Sequence, residues 1–173
     1  MRVLGIDPST VSTGVVVLEG TLKQPPTVLY EHSYKPKSEG MERVSSILGH
    51  ILLVLDIYKP DAIALEDYGL NLKHKTSIVP LVTLGSIIRY YFQQEQIHYL
   101  CPSPSEHKRF VTGNGNTKKE LVPGFILSTW GHDPLDGDTA DAYGLACMVL
   151  AHRNALAGVT LTMREVVANL KLF

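Results

Sequence analysis

Short apolar runs alternate with polar turns in the N-terminal part of the chain. Apolar runs cover residues 2–7 and 13–18, joined by the turn PSTVS, and a third run over 27–34 follows Pro25 and Pro26. Such runs, bounded by Pro, Ser and Gly, are typical of β-strands, and their close spacing favours pairing between chain neighbours. We therefore predict three antiparallel strands at the start of the fold.

The apolar pattern changes to helical spacing after residue 40. Over 40–58, apolar residues recur every three or four positions until Pro60, which predicts an amphipathic helix that ends before the proline. A second helix is predicted over 76–95. It lies between two short apolar runs, DAIALE at 61–66 and IHYL at 97–100, which we predict to be the fourth and fifth strands.

Helix-capping patterns mark the C-terminal half. A Ser or Thr three residues before a Glu is typical of a helix start, and this pattern occurs at Ser103–Glu106, Thr117–Glu120 and Thr162–Glu165. A further helix is predicted from Asp138 to about Ala155. The order of elements predicts an α/β fold, with a mixed five-stranded sheet and helices on both faces, in a single domain over residues 1–173.

Acids stand at the ends of two predicted strands and at the start of the late helix. The strand acids are Asp7 and Glu66, and the helix opens with Asp138 and Asp141. Residues three apart in a helix share one face, with Cβ atoms about 5–6 Å apart. If that helix start lies near the strand ends, the four carboxylates converge and repel one another. A pair of divalent cations removes the repulsion, and ligands that are all carboxylates suit Mg²⁺ or Mn²⁺.

Each acid also has an ordinary structural explanation. The helix dipole favours acids such as Asp138 and Asp141 in the first turn, and Asp7 at the end of a strand is a common turn former. Glu66 has no such local role. The metal-site prediction therefore depends on the combination of the four residues.

Composition changes this interpretation little, because the chain is 45% hydrophobic and 19% charged with a net charge of −1. These values are typical of a soluble globular protein and argue against nucleic-acid binding through bulk charge. Single lysines at helix ends are usually solvated, but three basic clusters beside acids or a glycine-rich loop predict a track for phosphates. The clusters are Lys73, His74 and Lys75 after Glu66, Lys108 with Arg109, and Lys118 with Lys119.

Cysteine spacing and hydropathy bear on the compartment. Cys101 and Cys147 have no CxxC spacing, which favours reduced thiols in an intracellular protein. Met1 runs directly into a predicted strand, so we expect no secretory signal. The longest apolar stretch, 142–151, is shorter than the roughly 20 residues that span a bilayer. We predict a cytoplasmic protein, or one of an organelle or a phage-infected cell, without membrane contact.

Four segments of the chain together resemble a known family. The segments LGIDPSTVSTGVVV, AIALEDY, VTGNGNTKKE and DTADAYGLACMVLAH are similar, in order and spacing, to those of the RuvC-type Holliday-junction resolvases, from residue 3 to about 152. These enzymes have the RNase H fold. The resemblance implies that the four acids Asp7, Glu66, Asp138 and Asp141 are catalytic metal ligands.

The same resemblance implies a set of DNA contacts. Lys108 and Lys118 take the places of basic residues near the cleaved strand, and Lys118 also lies where a predicted helix N-terminus favours phosphate. We therefore predict that Lys118 assists the reaction. The full predicted DNA-binding set is Tyr68, Lys73, Lys75, Lys108, Arg109, Lys118 and Lys119.

Two motifs depart from the family pattern. The first motif usually reads DPG, but Ser9 stands in place of the glycine here. The family tends to place an aromatic residue for base stacking a few residues after the glutamate, and Tyr68 is the nearest candidate, followed by the unusual loop LNLKHKT.

The activity that the resemblance implies is cleavage of four-way DNA junctions by paired symmetric nicks. Two Mg²⁺ ions per site, with Mn²⁺ able to substitute, would leave 5′-phosphate and 3′-hydroxyl ends. The two-fold symmetry of a junction implies a homodimer, and Leu53 and Val54 give the helix at 40–58 a second apolar face that suits such a contact. Branch-migration or replication proteins are further expected partners.

Three other functions are compatible with some of the same residues. The opening hairpin also resembles the phosphate-binding hairpin of actin-like and sugar-kinase ATPases, which need two such domains, whereas 173 residues hold one. An RNase H acting on RNA–DNA hybrids would use the same acids. A junction-binding module without catalysis would have no need of clustered carboxylates. ATP binding tests the first alternative, and a comparison of junction, duplex and hybrid substrates separates the others.

Overall fold

One mixed sheet of five strands forms the centre of the fold. The computed structural model describes residues 1–68 and 75–173, with the side chains of 75–77 left aside. The sheet order is β3-β2-β1-β4-β5, antiparallel among the first three strands and parallel from β1 to β4 and β5. The predicted sheet is therefore confirmed. The strands are β1 (Arg2–Asp7), β2 (Thr13–Thr21), β3 (Gln24–Tyr34), β4 (Ala62–Leu65) and β5 (Tyr99–Leu100).

Helices cover both faces of this sheet, as predicted. One face packs against α1 and α2, and the other packs against α3 to α6. None of the helices within the described ranges is long and apolar enough to cross a membrane. The helices are α1 (Gly40–Tyr58), α2 (Lys75–Gln94), α3 (Pro104–Thr112), α4 (Val122–Trp130), α5 (Gly137–His152) and α6 (Leu161–Ala168), with a 3₁₀ turn at Lys119–Leu121 before α4.

The central strand β1 is apolar on both sides because both sides are covered. Val3 contacts the α5 side, whereas Leu4 and Ile6 contact the α1 side. Strands buried on both faces are near-continuous apolar runs, which explains the absence of alternation in this segment. The run ends at Asp7, where the chain leaves the sheet.

The predicted break at Pro25 and Pro26 is wrong, because β3 already begins at Gln24. Proline cannot donate a hydrogen bond to a neighbouring strand, so it is tolerated only at sheet edges and bulges. Here β3 is the edge strand, and its pairing with β2 is irregular between Glu19 and Thr21. Both conditions make room for the prolines.

One predicted capping box is confirmed and the next is wrong. Ser103 and Glu106 form a reciprocal capping box at the start of α3. Thr117 is not a helix cap: the next helical turn has Lys118 at its N-cap without a side-chain cap, and the Thr117 hydroxyl donates to the carbonyl of Asn114 at 2.8 Å. The following 3₁₀ turn begins at Lys119. The true helix therefore starts later than predicted, which changes the directions of the neighbouring lysines.

The terminal capping box is also displaced. Thr160, and not Thr162, caps α6 by accepting from the amide of Met163. Helix α5 is capped by Asp136, whose carboxylate accepts from the amides of Asp138 and Thr139. Asp138 therefore does not serve as the cap, and its carboxylate is left for other contacts.

Of the two residues predicted to form a second apolar face on α1, Leu53 is exposed and Val54 is not. Val54 is buried and packs with Ile47 and Ile51 in the core. Leu53 is exposed, with 55% of its surface accessible.

Candidate metal centre

Asp7 and Glu66 are brought to the same edge of the sheet by parallel pairing. β4 runs parallel to β1, and the amide of Glu66 donates to the carbonyl of Ile6 at 3.0 Å. Each acid therefore follows the last core residue of its strand. Asp7 is buried, and the side chain of Glu66 is only 14% exposed.

Two glycines let α5 approach these strand ends closely. A Cβ atom at Gly5 would overlap the carbonyl oxygen of Ala142, and one at Gly14 would overlap the carbonyl oxygen of Asp138. The first turns of α5 therefore lie directly on β1 and β2, backbone against backbone. This contact sets the position of Asp138 and Asp141 relative to Asp7.

A single lysine joins three of the four acids. The Nζ atom of Lys119 lies 2.8 Å from Asp141 Oδ2, 2.9 Å from Asp138 Oδ1 and 3.4 Å from Asp7 Oδ2. The convergence of β1 and α5 acids that the sequence predicts is thus present in the geometry. The ammonium supplies the positive charge that such a cluster requires.

The structure brings Lys119, and not Lys118, to the acids. Lys118 is exposed and lines a shallow groove with Asn116, Thr117 and Glu120. A helix beginning at Thr117, as the sequence predicts, would favour Lys118, but the 3₁₀ turn begins only at Lys119. The catalytic role assigned to Lys118 stays a prediction.

Burial and the charges of neighbouring carboxylates raise the pKa of two of the acids, Asp7 and Glu66. Burial, with help from Asp141 and Asp138 and against Lys119, raises the pKa of Asp7 from 3.8 to about 6. Burial and the neighbouring Asp7 and Asp141 raise the pKa of Glu66 well above its usual value. Burial alone would lower the pKa of Lys119, but the carboxylates of Asp7 and Asp141 raise it. The site therefore favours any added cation.

Sequence reasoning missed His107, which completes the site on the α3 side. Only 1% of this residue is exposed. Its Nδ1 atom lies 3.6 Å from Glu66 Oε1 and 3.8 Å from Asp141 Oδ1. Burial lowers the pKa of His107 to about 4, although Asp141 opposes this shift. The helical spacing of His107, Phe110 and Val111 indicates burial, but no local pattern points this histidine at the acids.

The donor set fits a divalent cation. Within the described ranges, no three His, Cys, Asp or Glu side chains are already drawn together at metal-binding distances, and the ammonium of Lys119 lies among the acids instead. Asp141 Oδ1 is buried and accepts no hydrogen bond from the part of the chain that the structure describes. An unsatisfied carboxylate oxygen beside three further carboxyl groups suits a hard cation such as Mg²⁺ or Mn²⁺.

The predicted base-stacking residue, Tyr68, has its ring packed against α2. The guanidinium of Arg89 lies 4.1 Å from the centre of the Tyr68 ring, and the tyrosine hydroxyl is 3.1 Å from Ser86 Oγ. A Cβ atom at Gly85 would meet the same ring. The Tyr68 ring thus packs against Gly85, Ser86 and Arg89 of α2. Its role in base stacking stays a prediction.

The predicted basic track is described only in part. Arg109 pairs with Glu165 at 3.3 Å on the surface, and Lys108 is half-buried on α3. Lys73 and the side chain of Lys75 lie outside the described residues.

Comparison with known proteins gives one consistent result. A family model described as crossover junction endodeoxyribonuclease RuvC matches residues 3–149. The chain is 27% identical over 165 residues to the RuvC of Dehalococcoides mccartyi, covering 92% of this chain and 98% of the relative. It is 29% identical over 157 residues to the RuvC of Syntrophomonas wolfei, covering 88% and 91%.

Solved structures agree on the fold. A Thermus thermophilus RuvC in complex with a Holliday junction substrate matches with a TM-score of 0.71 and 21% identity, covering 100% of this chain and 99% of that one. A yeast mitochondrial Holliday junction resolvase matches with a TM-score of 0.58 and 14% identity, covering 83% and 75%. These likenesses confirm the predicted RNase H-like fold class.

Proposed function

This chain belongs to the RuvC family of crossover junction endodeoxyribonucleases, and we propose that it cuts four-way DNA junctions at the four-acid site. The observation that carries the proposal is the convergence of Asp7, Asp138 and Asp141 on one ammonium, with Glu66 beside them. Repelling carboxylates in a buried place are costly unless cations are bound there. Phosphodiester hydrolysis is a reaction that uses such cations.

Two divalent ions, Mg²⁺ with Mn²⁺ able to substitute, would polarise the phosphate, activate the attacking water and stabilise the leaving oxygen. Asp7 would contribute to holding both, because its charge acts on Glu66 on one side and it shares Lys119 with the α5 acids on the other. Glu66, Asp138 and Asp141 would complete the ligand set. In-line attack then leaves 5′-phosphate and 3′-hydroxyl ends.

Lys119 would be free to contact the DNA once bound cations neutralise the acids. Its side chain is 45% exposed, so the ammonium can turn outward without leaving a buried void. A positive charge at that position meets the phosphate group of the cut strand. The contacts thus favour Lys119 over Lys118 as the lysine that assists the reaction.

A homodimer would place one such site on each of two symmetric strands. Helix α1 offers a surface for this contact, because Met41, Leu53 and Ile57 are exposed. Branch-migration or replication proteins stay predicted partners.

The function is tested by offering the protein a four-way junction, a plain duplex and an RNA–DNA hybrid in Mg²⁺. We expect paired cuts in the junction, with the product ends mapped as 5′-phosphate and 3′-hydroxyl. Asp7→Asn should bind the junction and leave it uncut. Preferred cleavage of the hybrid would favour an RNase H activity, and binding without cutting by the unaltered protein would favour a non-catalytic module.

Single alanine variants separate the roles of the two lysines. Lys119→Ala should slow cutting at saturating junction more than it weakens junction binding, because its charge acts on the transition state. Lys118→Ala should mainly reduce affinity and lower the salt dependence by about 0.9 per lost phosphate contact. The reverse pattern would restore Lys118 as the lysine that assists the reaction.

A further inference from the structure

His107 occupies a closed position between two of the proposed ligands. It comes from α3, whereas Glu66 follows β4 and Asp141 belongs to α5. Its Nδ1 atom faces both carboxylates, at 3.6 Å and 3.8 Å. These separations are slightly longer than hydrogen bonds, so a small movement of either acid brings it into contact with the imidazole.

The environment of the other ring nitrogen indicates where the proton sits. Nε2 is buried and has no hydrogen-bond partner among the described residues. Buried N–H groups without a partner are rarer in proteins than buried acceptors without one, which indicates that the orphaned N–H is the more costly. The favoured arrangement therefore leaves Nε2 unprotonated and places the hydrogen on Nδ1, where two acceptors lie.

Gly144 provides the room for this arrangement. A Cβ atom at Gly144 would overlap His107 Nε2 and press on Val111 Cγ2. The glycine has an ordinary helical backbone within α5, so its small size, and not its conformational freedom, is what the position uses. The Nε2 edge of the ring thus lies against α5, about one turn beyond Asp141.

We propose that His107 is a positioning residue, whose Nδ1–H orients the carboxylates of Glu66 and Asp141 toward the divalent cations. The inference rests on the proposed function, since it assigns a partner to two of its metal ligands. Residues that hold metal ligands in place change metal affinity or activity by about 10–100-fold when they are lost. A single donor shared by two elements would also keep the α5 acid and the β4 acid in register.

Nitrogen-15 NMR of the intact protein tests the proton position without any turnover. The spectrum is recorded at about pH 8, well above the ordinary pKa of histidine, and the His107 signals are identified by their loss in His107→Gln. We expect the pattern of a neutral imidazole that carries its hydrogen on Nδ1. A hydrogen on Nε2, or a doubly protonated ring, would overturn the proposal.

Calorimetric titration with Mn²⁺ tests the effect on the site. His107→Leu, which keeps the bulk but donates nothing, should bind Mn²⁺ about 10–100-fold more weakly. His107→Gln keeps an N–H donor and should recover most of that loss. Gly144→Ala should weaken binding with His107 still present, because it pushes the ring out of place. Equal Mn²⁺ affinity in His107→Leu and the parent would overturn the proposal.

Failure of this inference differs from failure of the proposed function. If the parent protein binds Mn²⁺ tightly and His107→Leu binds it equally well, the metal site stands and only the positioning role is lost. If the parent binds no Mn²⁺ at all, the four-acid metal site fails, and the role of His107 fails with it. Melting curves of each variant, recorded first, show which of them are folded.

Discussion

The two faces of the sheet are packed in different ways. On one face, every residue of α5 from Thr139 to Ala151 is buried, and the helix backbone touches the strands at two glycines. On the other face, α1 buries only Val44, Ile47, Ile51 and Val54, and a Cβ atom at its Gly49 would meet none of the described residues within 4 Å.

This difference follows the location of the acids. Close backbone contact fixes the place of a helix more tightly than interlocking side chains do, since side chains can repack around a shift. Asp138 and Asp141 are on the helix with the backbone contact. None of the four proposed metal ligands belongs to α1, which retains the exposed apolar residues Met41, Leu53 and Ile57. The closest packing in the fold therefore lies where the charges must meet.

The largest effect is expected from adding a methyl group where α5 lies directly on β1. Gly5→Ala places a methyl group on the backbone of Ala142, and overpacking of this kind costs about 3 kcal/mol at the upper end of its usual range. Urea unfolding of the variant and the parent measures the loss. A Gly5→Ala protein as stable as the parent would show that α5 can move away freely, and the contrast between the faces would disappear.

A somewhat smaller effect is expected from the pH dependence of stability without metal. The pKa of Asp7 is raised to about 6 from 3.8 by burial, so the folded state holds this proton more tightly than the unfolded chain. The contribution of Asp7 is fully present below about pH 4 and is lost as the pH rises through about 6. Asp7→Asn should therefore be more stable than the parent at about pH 8, by on the order of 2–3 kcal/mol.

The gain from Asp7→Asn should vanish toward about pH 4, where both proteins are neutral at this position. Melting in a chelator across this range measures it. His107, whose lowered pKa acts in the opposite direction, is present in both proteins and cancels. Asp56→Asn, on the exposed surface of α1, is the matched control and should show no gain. An Asp7→Asn protein that melts below the parent at about pH 8 would mean that the carboxylate stabilises the fold.

The smallest effect is expected on the α1 face, and it has the opposite sign. Gly49 lies inside α1 with open space where a Cβ atom would go. Alanine there should raise stability by about 0.5–1 kcal/mol, because glycine is a poor helix former. Urea unfolding under the same conditions as for Gly5→Ala measures the gain. A loss of stability in Gly49→Ala comparable to that in Gly5→Ala would show that α1 also packs closely at this position.

Much of the fold was predictable because its signals are local. The apolar runs that end on Asp7 and Glu66 predicted the strands, and the spacing of Asp138 and Asp141 predicted one helical face toward them. Pairing across the sheet then follows from the order of elements. The sequence does not show that Pro25 and Pro26 belong to a strand, since proline is tolerated in an edge strand and the position of a strand at the edge depends on the whole sheet.

The parts of the site that were missed depend on contacts between distant segments. Lys118 and Lys119 are adjacent in sequence, and only the true start of the 3₁₀ turn decides which of them faces the acids. His107 looks like an ordinary buried helix residue until Gly144 and Glu66 are placed beside it. Neither relation is visible in local spacing.

The response of melting temperature to Mg²⁺ tests the central claim, that the four acids form one metal site. A cation that binds only the folded state stabilises it by mass action, by about 2.7 kcal/mol at a hundred times its dissociation constant. The parent and the Asp56→Asn control should therefore melt at a higher temperature in Mg²⁺ than in chelator. The double variant Asp7→Asn, Asp141→Asn should melt above the parent in chelator and gain nothing from Mg²⁺. A double variant that melts below the parent and still responds fully to Mg²⁺ would show that these acids serve the fold alone.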